Sequence, residues 1–459
     1  MPAKRWLVMV LVCLAVFEKC CADAQETPSL AHVVDSLRSG ETAVRVVCFG
    51  DSITGVYYHT GGRRAWCDML GIALGKIYPK AQIEMINAGI SGHTTTLGLA
   101  RMEKDVIAHK PQLVVVMFGM NDVVGTEPKV FEDNLRTIVA RARAGGAAVV
   151  LCTPNSVYPN PTRPMDRLAR FAQVVRDVAA DLSVPLADCV TAYEEVRRED
   201  VTRWRLLMSE TIHPGMNGHK LFAEVIAQKI SGRRVSLADE PPPADALSFT
   251  LARLAEKQPL EVVAMPPFDE IVPDALRGLF PEAKINVTPW PVEGQSLTAI
   301  EEWARGIRAK RPHLVVVAVP ADRTAEDEET FIRLYSWVLN WSVDFGLARW
   351  DLMPILPSVA GPLADDESQR EELVRRIIMS MDTRWVQRPP GDARPAAEIV
   401  SDWINQQASA ALKIVAFGDS ITAFRNTIQK VYSQRLAEVL PAQGISAWVV
   451  NSGVGGHTP

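Results

Sequence analysis

The sequence predicts an α/β protein: a three-layer α/β/α sandwich on a mostly parallel sheet, repeated along the chain. Short apolar runs alternate with longer amphipathic ones between about residues 44 and 190, the pattern of successive β-α units. The short runs, such as VRVVCFG, LVVVMFG and AAVVLCTP, are apolar throughout rather than alternating, as strands covered by helices on both faces must be. A stretch near the middle of the chain also echoes one near its start, the mark of an internal repeat. A length of 459 residues with 47% hydrophobic and 22% charged residues fits several folded units rather than one core or a disordered chain.

The first element is MPAKR, followed by the apolar run Trp6 to Phe17 and then EKCCADA, ending in Ala22-Asp23-Ala24. That order is typical of a secretory signal, and cleavage after Ala24 is the expectation. The apolar run is well short of the roughly 20 residues a bilayer span needs, and neither Cys20 nor Cys21 follows a lipidation sequence. No stable membrane span is therefore expected after cleavage, and a secreted or periplasmic protein is. Loss of residues 1–24 removes three basic and two acidic residues and leaves the charge one unit more negative than −5. A mildly acidic chain with no basic stripe argues against nucleic acid or anionic membrane as main partner. Four cysteines remain, Cys48, Cys67, Cys152 and Cys189. An oxidising compartment would permit pairing, but buried thiols are favoured because Cys48 and Cys152 sit in strand-like runs.

In order, VRVVCFG, IEMINAG, LVVVMFG, AAVVLCTP and VPLADCV read as strands, and AWCDMLGIALGKIY, GLARMEKDVIAHK, FEDNLRTIVARARAG and DRLARFAQVVRDVAADL as the helices between them. Ligands bind such sheets at the carboxyl ends of the strands. A polar cluster falls at each of the first three ends: Gly50-Asp51-Ser52, Asn87-Ala88-Gly89 and Gly119-Met120-Asn121-Asp122. Acyl transfer fits these loops. A serine attacks an ester carbonyl, and the oxyanion that forms needs donors, each worth about 3 kcal/mol in the transition state. The N–H groups of Ser52 and Gly89 and the Asn121 amide are candidates.

The serine needs a base, and the chain has eight histidines. His213 stands out because it lies in SETIHP, a loop before the helix-like run HKLFAEVIAQKI, where it can face the sheet end and take the Ser52 proton. Glu210 in the same loop is placed to orient the imidazole and stabilise its cationic form. His93 reads as a loop histidine making local hydrogen bonds, His219 as structural, and His59, Arg63 and Arg64 in YYHTGGRR as candidate pocket-lining groups, the arginines equally as surface charge. No histidines and carboxylates have metal-ligand spacing, so no metal and no cofactor are expected.

These four loops, in this order, resemble the SGNH or GDSL family of esterases and lipases. FGDSIT at 49–54, NAGISG at 87–92, GMND at 119–122 and ETIHP at 210–214 match its four blocks, and the resemblance covers about residues 43–232. It implies Ser52 as nucleophile, His213 as base, and Gly89 with Asn121 and the Ser52 amide as oxyanion hole. The family usually has Asp three residues before the histidine. Here Glu210 stands there, longer by a methylene.

The expected organisation is a signal (1–24), a catalytic unit (25–235), a Pro-rich acidic linker (236–248), a degenerate second unit (249–405) and an incomplete third (406–459). Matching KPQLVVV at 110–116 with RPHLVVV at 311–317, and VVCFGDS at 46–52 with VVAMPPF at 262–268, puts Phe268 at Ser52, Pro291 at Gly89 and Asp322 at Asn121. Proline has no N–H to offer an oxyanion. Gln387 falls near the His213 position, so the second unit lacks the catalytic groups. It holds seven of the eleven tryptophans, for which core packing is favoured over a carbohydrate platform. The third unit repeats FGDSIT around Ser420 and NSGVGGHT around Gly453, without an Asn or His block.

The function these readings support is a secreted serine ester hydrolase with one complete site. Its expected partner is a small-molecule or glycan ester, deacylated through an acyl-enzyme, with short acyl groups on carbohydrate favoured and the loops around Tyr57, Tyr58 and Arg63 setting specificity. The alternatives are a non-catalytic glycan-binding protein built from hydrolase-like units, and a lysophospholipase or thioesterase of the same family.

Overall fold

Strand β1 (Val44–Gly50) is apolar and almost wholly buried because it takes a central place in a five-stranded parallel sheet. A computed structural model describes residues 29–243, 246–346, 349–409 and 436, together with the backbone of 412–418 and 447–453. The signal-like segment 1–24, Ser420 and His457 lie outside the described residues. No helix among the described residues is long and apolar enough to cross a membrane.

The sheet order is β2-β1-β3-β4-β5, with β2 at Ile83–Gly89, β3 at Leu113–Met117, β4 at Ala148–Cys152 and β5 at Leu186–Ala187. β3 and β4 are buried at every residue, as apolar strands covered on both faces should be. β2 carries Glu84 and Asn87 and is half exposed because it forms an edge. Helices Trp66–Ile77 and Met216–Ser231 pack together in one covering layer, and Thr95–Asp105, Pro128–Ala144 and Met165–Asp181 in the other. Their ends follow local chemistry. Asp68 accepts the Ala65 N–H at 2.8 Å at the start of one helix, Pro128 opens another, and Gly232, with φ +70°, closes the last.

A second parallel sheet follows, with β6 at Leu260–Ala264, β7 at Ile285–Pro289, β8 at Leu314–Val317 and β9 at Asp351–Pro354, in the order β7-β6-β8-β9. This is the order of the first four strands of the first sheet. Val46 lies opposite Met85 and Leu113, and Val262 opposite Val287 and Leu314. Gln112 bonds both ways to Arg45, accepting its N–H at 2.7 Å and donating its own N–H to the Arg45 carbonyl at 3.0 Å. His313 makes the same two bonds to Glu261, at 2.9 and 2.7 Å. The connections differ at one point. A loop leads from β1 to the helix beginning at Trp66, whereas Phe268 begins a helix almost directly after β6 and is buried. Beyond these sheets, β10 (Leu412–Gly418) and β11 (Ala447–Gly453) pair in parallel, with Gly418 opposite Gly453 as Gly50 is opposite Gly89.

The segment expected as a linker is fastened to both units. Leu237 is buried in the first core and Leu247 in the second. Lys220 Nζ donates to the Glu240 carbonyl at 2.7 Å, and Arg64 and Arg384 donate to those of Pro241 and Pro243 at 2.9 Å each. Arg64 is not surface charge. It forms two 2.7 Å bonds to Asp382 of the second unit, with the two side chains 11% and 2% exposed. Of the tryptophans, Trp290 is wholly buried and stacks on Trp303 at 5.0 Å, while Trp385 and Trp403 line a surface groove with Pro242 and Asp402. Cys48, Cys67, Cys152 and Cys189 are buried and unpaired.

Candidate active site

The chain turns sharply where β1 ends. A Cβ on Gly50 would stand 2.1 Å from Thr54 Oγ1 and 2.4 Å from the Met117 carbonyl oxygen, so a side chain there would obstruct the turn. The Thr54 and Gly55 N–H groups donate to the Asp51 carbonyl at 3.2 and 3.0 Å, and Asp51 Oδ1 accepts the Ile53 N–H at 2.9 Å. This tight turn lifts Ser52 to the strand end. Burial pushes the Asp51 carboxyl up to about 7, against the opposing pull of the Ile53 N–H and of His213.

Ser52 Oγ lies 2.8 Å from His213 Nε2, although 160 residues separate them in the chain. The His213 loop is closed by Ser209 and Glu210, whose N–H groups donate to the His213 carbonyl at 2.9 and 3.3 Å. Glu210 Oε1 takes the His213 N–H at 2.8 Å and also contacts His213 Nδ1 directly, while Oε2 takes the Ile212 N–H at 3.3 Å. The longer side chain thus reaches the imidazole from three residues back. Burial alone would raise the Glu210 carboxyl, but the hydrogen bond and charge of His213 and the two N–H groups hold it below the usual carboxylate value. With Nδ1–H donating to this carboxylate, Nε2 presents a lone pair to the Ser52 hydroxyl.

The other two clusters converge on the same serine. Asn87 Nδ2 donates to the Thr54 carbonyl at 2.7 Å, and its Oδ1 accepts the Gly89 N–H at 3.0 Å. The Gly89 N–H is therefore already engaged by a side chain, which the sequence reading did not anticipate. A Cβ on Gly89 would come within 2.2 Å of Gly55 N, so the two loops meet backbone to backbone. Asn121 Nδ2 donates to the His93 carbonyl at 3.1 Å, and Asp122 accepts the Thr95 N–H at 2.9 Å, pinning the third loop to helix Thr95–Asp105. The Ser52 N–H makes no hydrogen bond to the described residues.

Two groups near the site, Arg163 and Arg101, were not found from sequence, and two histidines join them there. Arg163 donates to the Met120 carbonyl at 2.9 Å and to Asn121 Oδ1 at 3.3 Å, which turns the Asn121 amide. Arg101 lies over the Phe49 ring and ties the ends of β1 and β2 by donating to the Gly50 and Ala88 carbonyls, both at 2.8 Å. His59 stacks on His213, with ring centres 4.7 Å apart and planes 5° from parallel, and its Nε2 lies 3.2 Å from the Ser52 carbonyl. His219 continues the stack at 5.6 Å and accepts the Trp66 N–H at 2.8 Å. Burial holds His59 well below its ordinary value and His219 down to about 3, so both rings are neutral beside His213. Of the two histidines, the sequence pointed to His59 as a pocket-lining candidate and to His219 as structural. His93 accepts from Arg101 Nε at 3.1 Å, a local hydrogen bond. Among the described residues no group of three or more His, Cys, Asp or Glu could hold a metal ion.

Residues 48–221 match the GDSL-like Lipase/Acylhydrolase family. An acetylxylan esterase of Geobacillus stearothermophilus is 31% identical over 167 residues, which is 34% of this chain and 75% of the relative. An arylesterase of Vibrio mimicus is 26% identical over 42% of this chain and 90% of its own length. The thioesterase 1/protease 1/lysophospholipase L1 of Escherichia coli K12 is 26% identical over 44% and 90%. Four loops meeting at the carboxyl end of one parallel sheet, together with these likenesses, make the chain a member of the GDSL-like lipase/acylhydrolase family and a carboxylic ester hydrolase.

Proposed function

We propose that the enzyme works through an acyl-enzyme on Ser52, with His213 as general base and then acid and Glu210 as its orienting carboxylate. The observation that carries this reading is the chain of contacts from Ser52 Oγ through the His213 ring to Glu210. His213 Nε2 takes the hydroxyl proton as Oγ bonds to the ester carbonyl carbon, and returns it to the leaving alkoxide as the C–O bond breaks. Water then repeats the sequence on the acyl-enzyme. The oxyanion is met by the Ser52 N–H and the Asn121 amide held by Arg163, with the Gly89 N–H shared between Asn87 and the oxyanion.

The substrate we favour is a short acyl ester, of carbohydrate or of a small alcohol. The acetylxylan esterase and arylesterase among the relatives support this, as do the half-buried Tyr58 beside His213 and Tyr57 beside His59. The second unit we read as a copy of the same fold without catalytic groups, supported by the shared strand order, the shared register and the buried Phe268 at the place of Ser52. The ribbon of β10 and β11 is read as the start of a third copy. MPAKR and the following apolar run support export, with cleavage after Ala24.

A fluorophosphonate probe tests the site, because only an activated serine is labelled. The expected result is one adduct, on Ser52, lost in Ser52→Ala and His213→Ala together with hydrolysis of aryl acetate, and unaffected by Ser420→Ala. Full activity in Ser52→Ala would sink the assignment. Comparing acetylated oligosaccharides with longer-chain aryl esters tests the substrate class, and a preference for long acyl chains would overturn it.

A further inference from the structure

The second unit touches the first at the base of the loop that carries His213. Asn340, in the last turn of helix Glu328–Ser342, is wholly buried. Ser209 Oγ donates to Asn340 Oδ1 at 2.9 Å, and Asn340 Nδ2 donates to the Ser209 carbonyl at 3.1 Å. Both poles of one amide are spent on one residue of the other unit. At the far end of the loop the Met216 N–H donates to the Ser380 carbonyl at 2.6 Å. A Cβ on Gly215 would lie 3.0 Å from that same oxygen, so the two chains are in close contact. The first unit closes the base, where the Gly215 N–H donates to the Leu207 carbonyl at 2.9 Å, and holds the tip. Asn155 Nδ2 donates to the Ile212 carbonyl and the Tyr158 N–H to that of Thr211, each at 3.0 Å.

Ser209 therefore stands between two partners. Its N–H donates to the His213 carbonyl and closes the catalytic turn, while its carbonyl and hydroxyl are held by Asn340. Asn340 is itself anchored, since Arg308 Nη2 donates to its carbonyl at 2.7 Å. The same guanidinium lies 5.0 Å over the Tyr58 ring, and that ring stands edge-on to His213 at 6.3 Å. The helix end is thus linked to the imidazole along two routes.

We propose that Asn340 is a positioning residue for His213, so that a unit with no catalytic set of its own completes the active site of the first. This rests on the reading of His213 as the base. Catalytic groups must be held within about 0.5 Å of the productive geometry, and misplacement by about 1 Å from a change remote from the chemistry costs about 100-fold. Asn340→Ala would leave the Ser209 hydroxyl and carbonyl buried without partners, and the loop gains by moving to satisfy them.

The experiment compares full-chain variants on an aryl acetate, reading kcat and KM separately. Asn340→Ala is expected to lower kcat by about 10- to 100-fold with KM within about twofold, because the alteration acts on proton transfer rather than on ester binding. The rate of fluorophosphonate labelling should fall in step. Val338→Ala, at a wholly buried position of the same helix, removes core contacts without touching Ser209; it should lower the melting temperature and leave kcat unchanged below it. The double variant of Asn340→Ala with Ser209→Ala should be no slower than Asn340→Ala alone. A kcat within twofold of wild type in Asn340→Ala, or an equal loss in Val338→Ala, would overturn the proposal. If Asn340→Ala does not fold, Ser209→Ala decides: about a 2- to 10-fold loss of kcat supports positioning, and no loss refutes it. Ser52→Ala, run beside these, separates the two levels, since activity there would remove the reading of the site itself.

Discussion

Glu210→Gln isolates the charge behind His213 from its shape. Glutamine has the same length, so its Oε1 can still accept the His213 N–H and face Nδ1, where the carboxylate now makes both contacts. Its amide would then meet the Ile212 N–H, which Oε2 accepts at 3.3 Å in the native loop. The His213 contacts and the tautomer survive in that orientation, and what is lost is the negative charge and the weak Ile212 hydrogen bond. That charge acts only when His213 becomes cationic, as the Ser52 proton moves across, so the loss falls on the transition state and on kcat, with KM little changed. Opposite charges about 4 Å apart at an effective dielectric of about 20 attract by about 4 kcal/mol, or about a thousandfold in rate. If the amide flips and donates to Nδ1, the Nε2 lone pair is lost and the deficit is larger. The assay is steady-state hydrolysis of an aryl acetate at neutral pH, with near-ultraviolet circular dichroism as a check of folding. A kcat within tenfold of wild type in a folded Glu210→Gln protein would refute the role assigned to the carboxylate.

Three further substitutions test the surroundings of the site. Asp51 holds its proton up to about 7 in the folded state, mainly because it is buried. Its contribution to stability is full below the unfolded value of about 4 and is lost as pH rises toward 7. Asp51→Asn should therefore be more stable than wild type at pH 8, by about 4 kcal/mol at most, and no different below pH 4; urea midpoints across this range measure it, and parallel curves would contradict the burial argument. Gly89→Ala puts a Cβ 2.2 Å from Gly55 N and 2.6 Å from the Thr54 carbonyl carbon. Because these are backbone atoms of the Ser52 loop, about 1–3 kcal/mol of stability and most of the esterase activity should be lost; a normal kcat would show that the loops do not meet so closely. Asp382→Asn removes the nearer of two carboxylates from the buried Arg64 guanidinium, leaving Glu240 at 3.8 Å and the Pro241 carbonyl, and should cost about 1–3 kcal/mol in urea unfolding, with an unchanged midpoint the contrary result.

The strands and four polar loops were legible in the sequence for a local reason. An apolar run buried on both faces looks the same wherever it packs, and β1, β3 and β4 lie in the interior of the sheet. β2 read less cleanly because an edge strand needs only part of its surface apolar. Ser52, Asn121 and His213 could be nominated because each lies in a polar loop between elements, the first two just beyond β1 and β3. The contacts of the linker were hidden for the opposite reason. Proline and charge mark a segment as non-helical, but they are silent on whether Leu237 and Leu247 find cores to enter.

Glu210 falls between the two cases. Its spacing from His213 is a property of the sequence, but whether a side chain one methylene longer still reaches Nδ1 depends on the turn that Ser209 and Glu210 close on the His213 carbonyl.

The sequence by itself determined the fold class and the loops that bear the proposed nucleophile and base, because those depend on periodicity and on chemistry held within a few residues. Only the tertiary structure decided that His59 and His219 stack with His213, that Arg163 turns Asn121, that Gly89 is already bonded to Asn87, and that Asn340 and Asp382 reach from the second unit into the first. The long-range contacts among these join residues up to 318 positions apart. No local pattern encodes such a meeting, since it is set by how one packed unit docks on another.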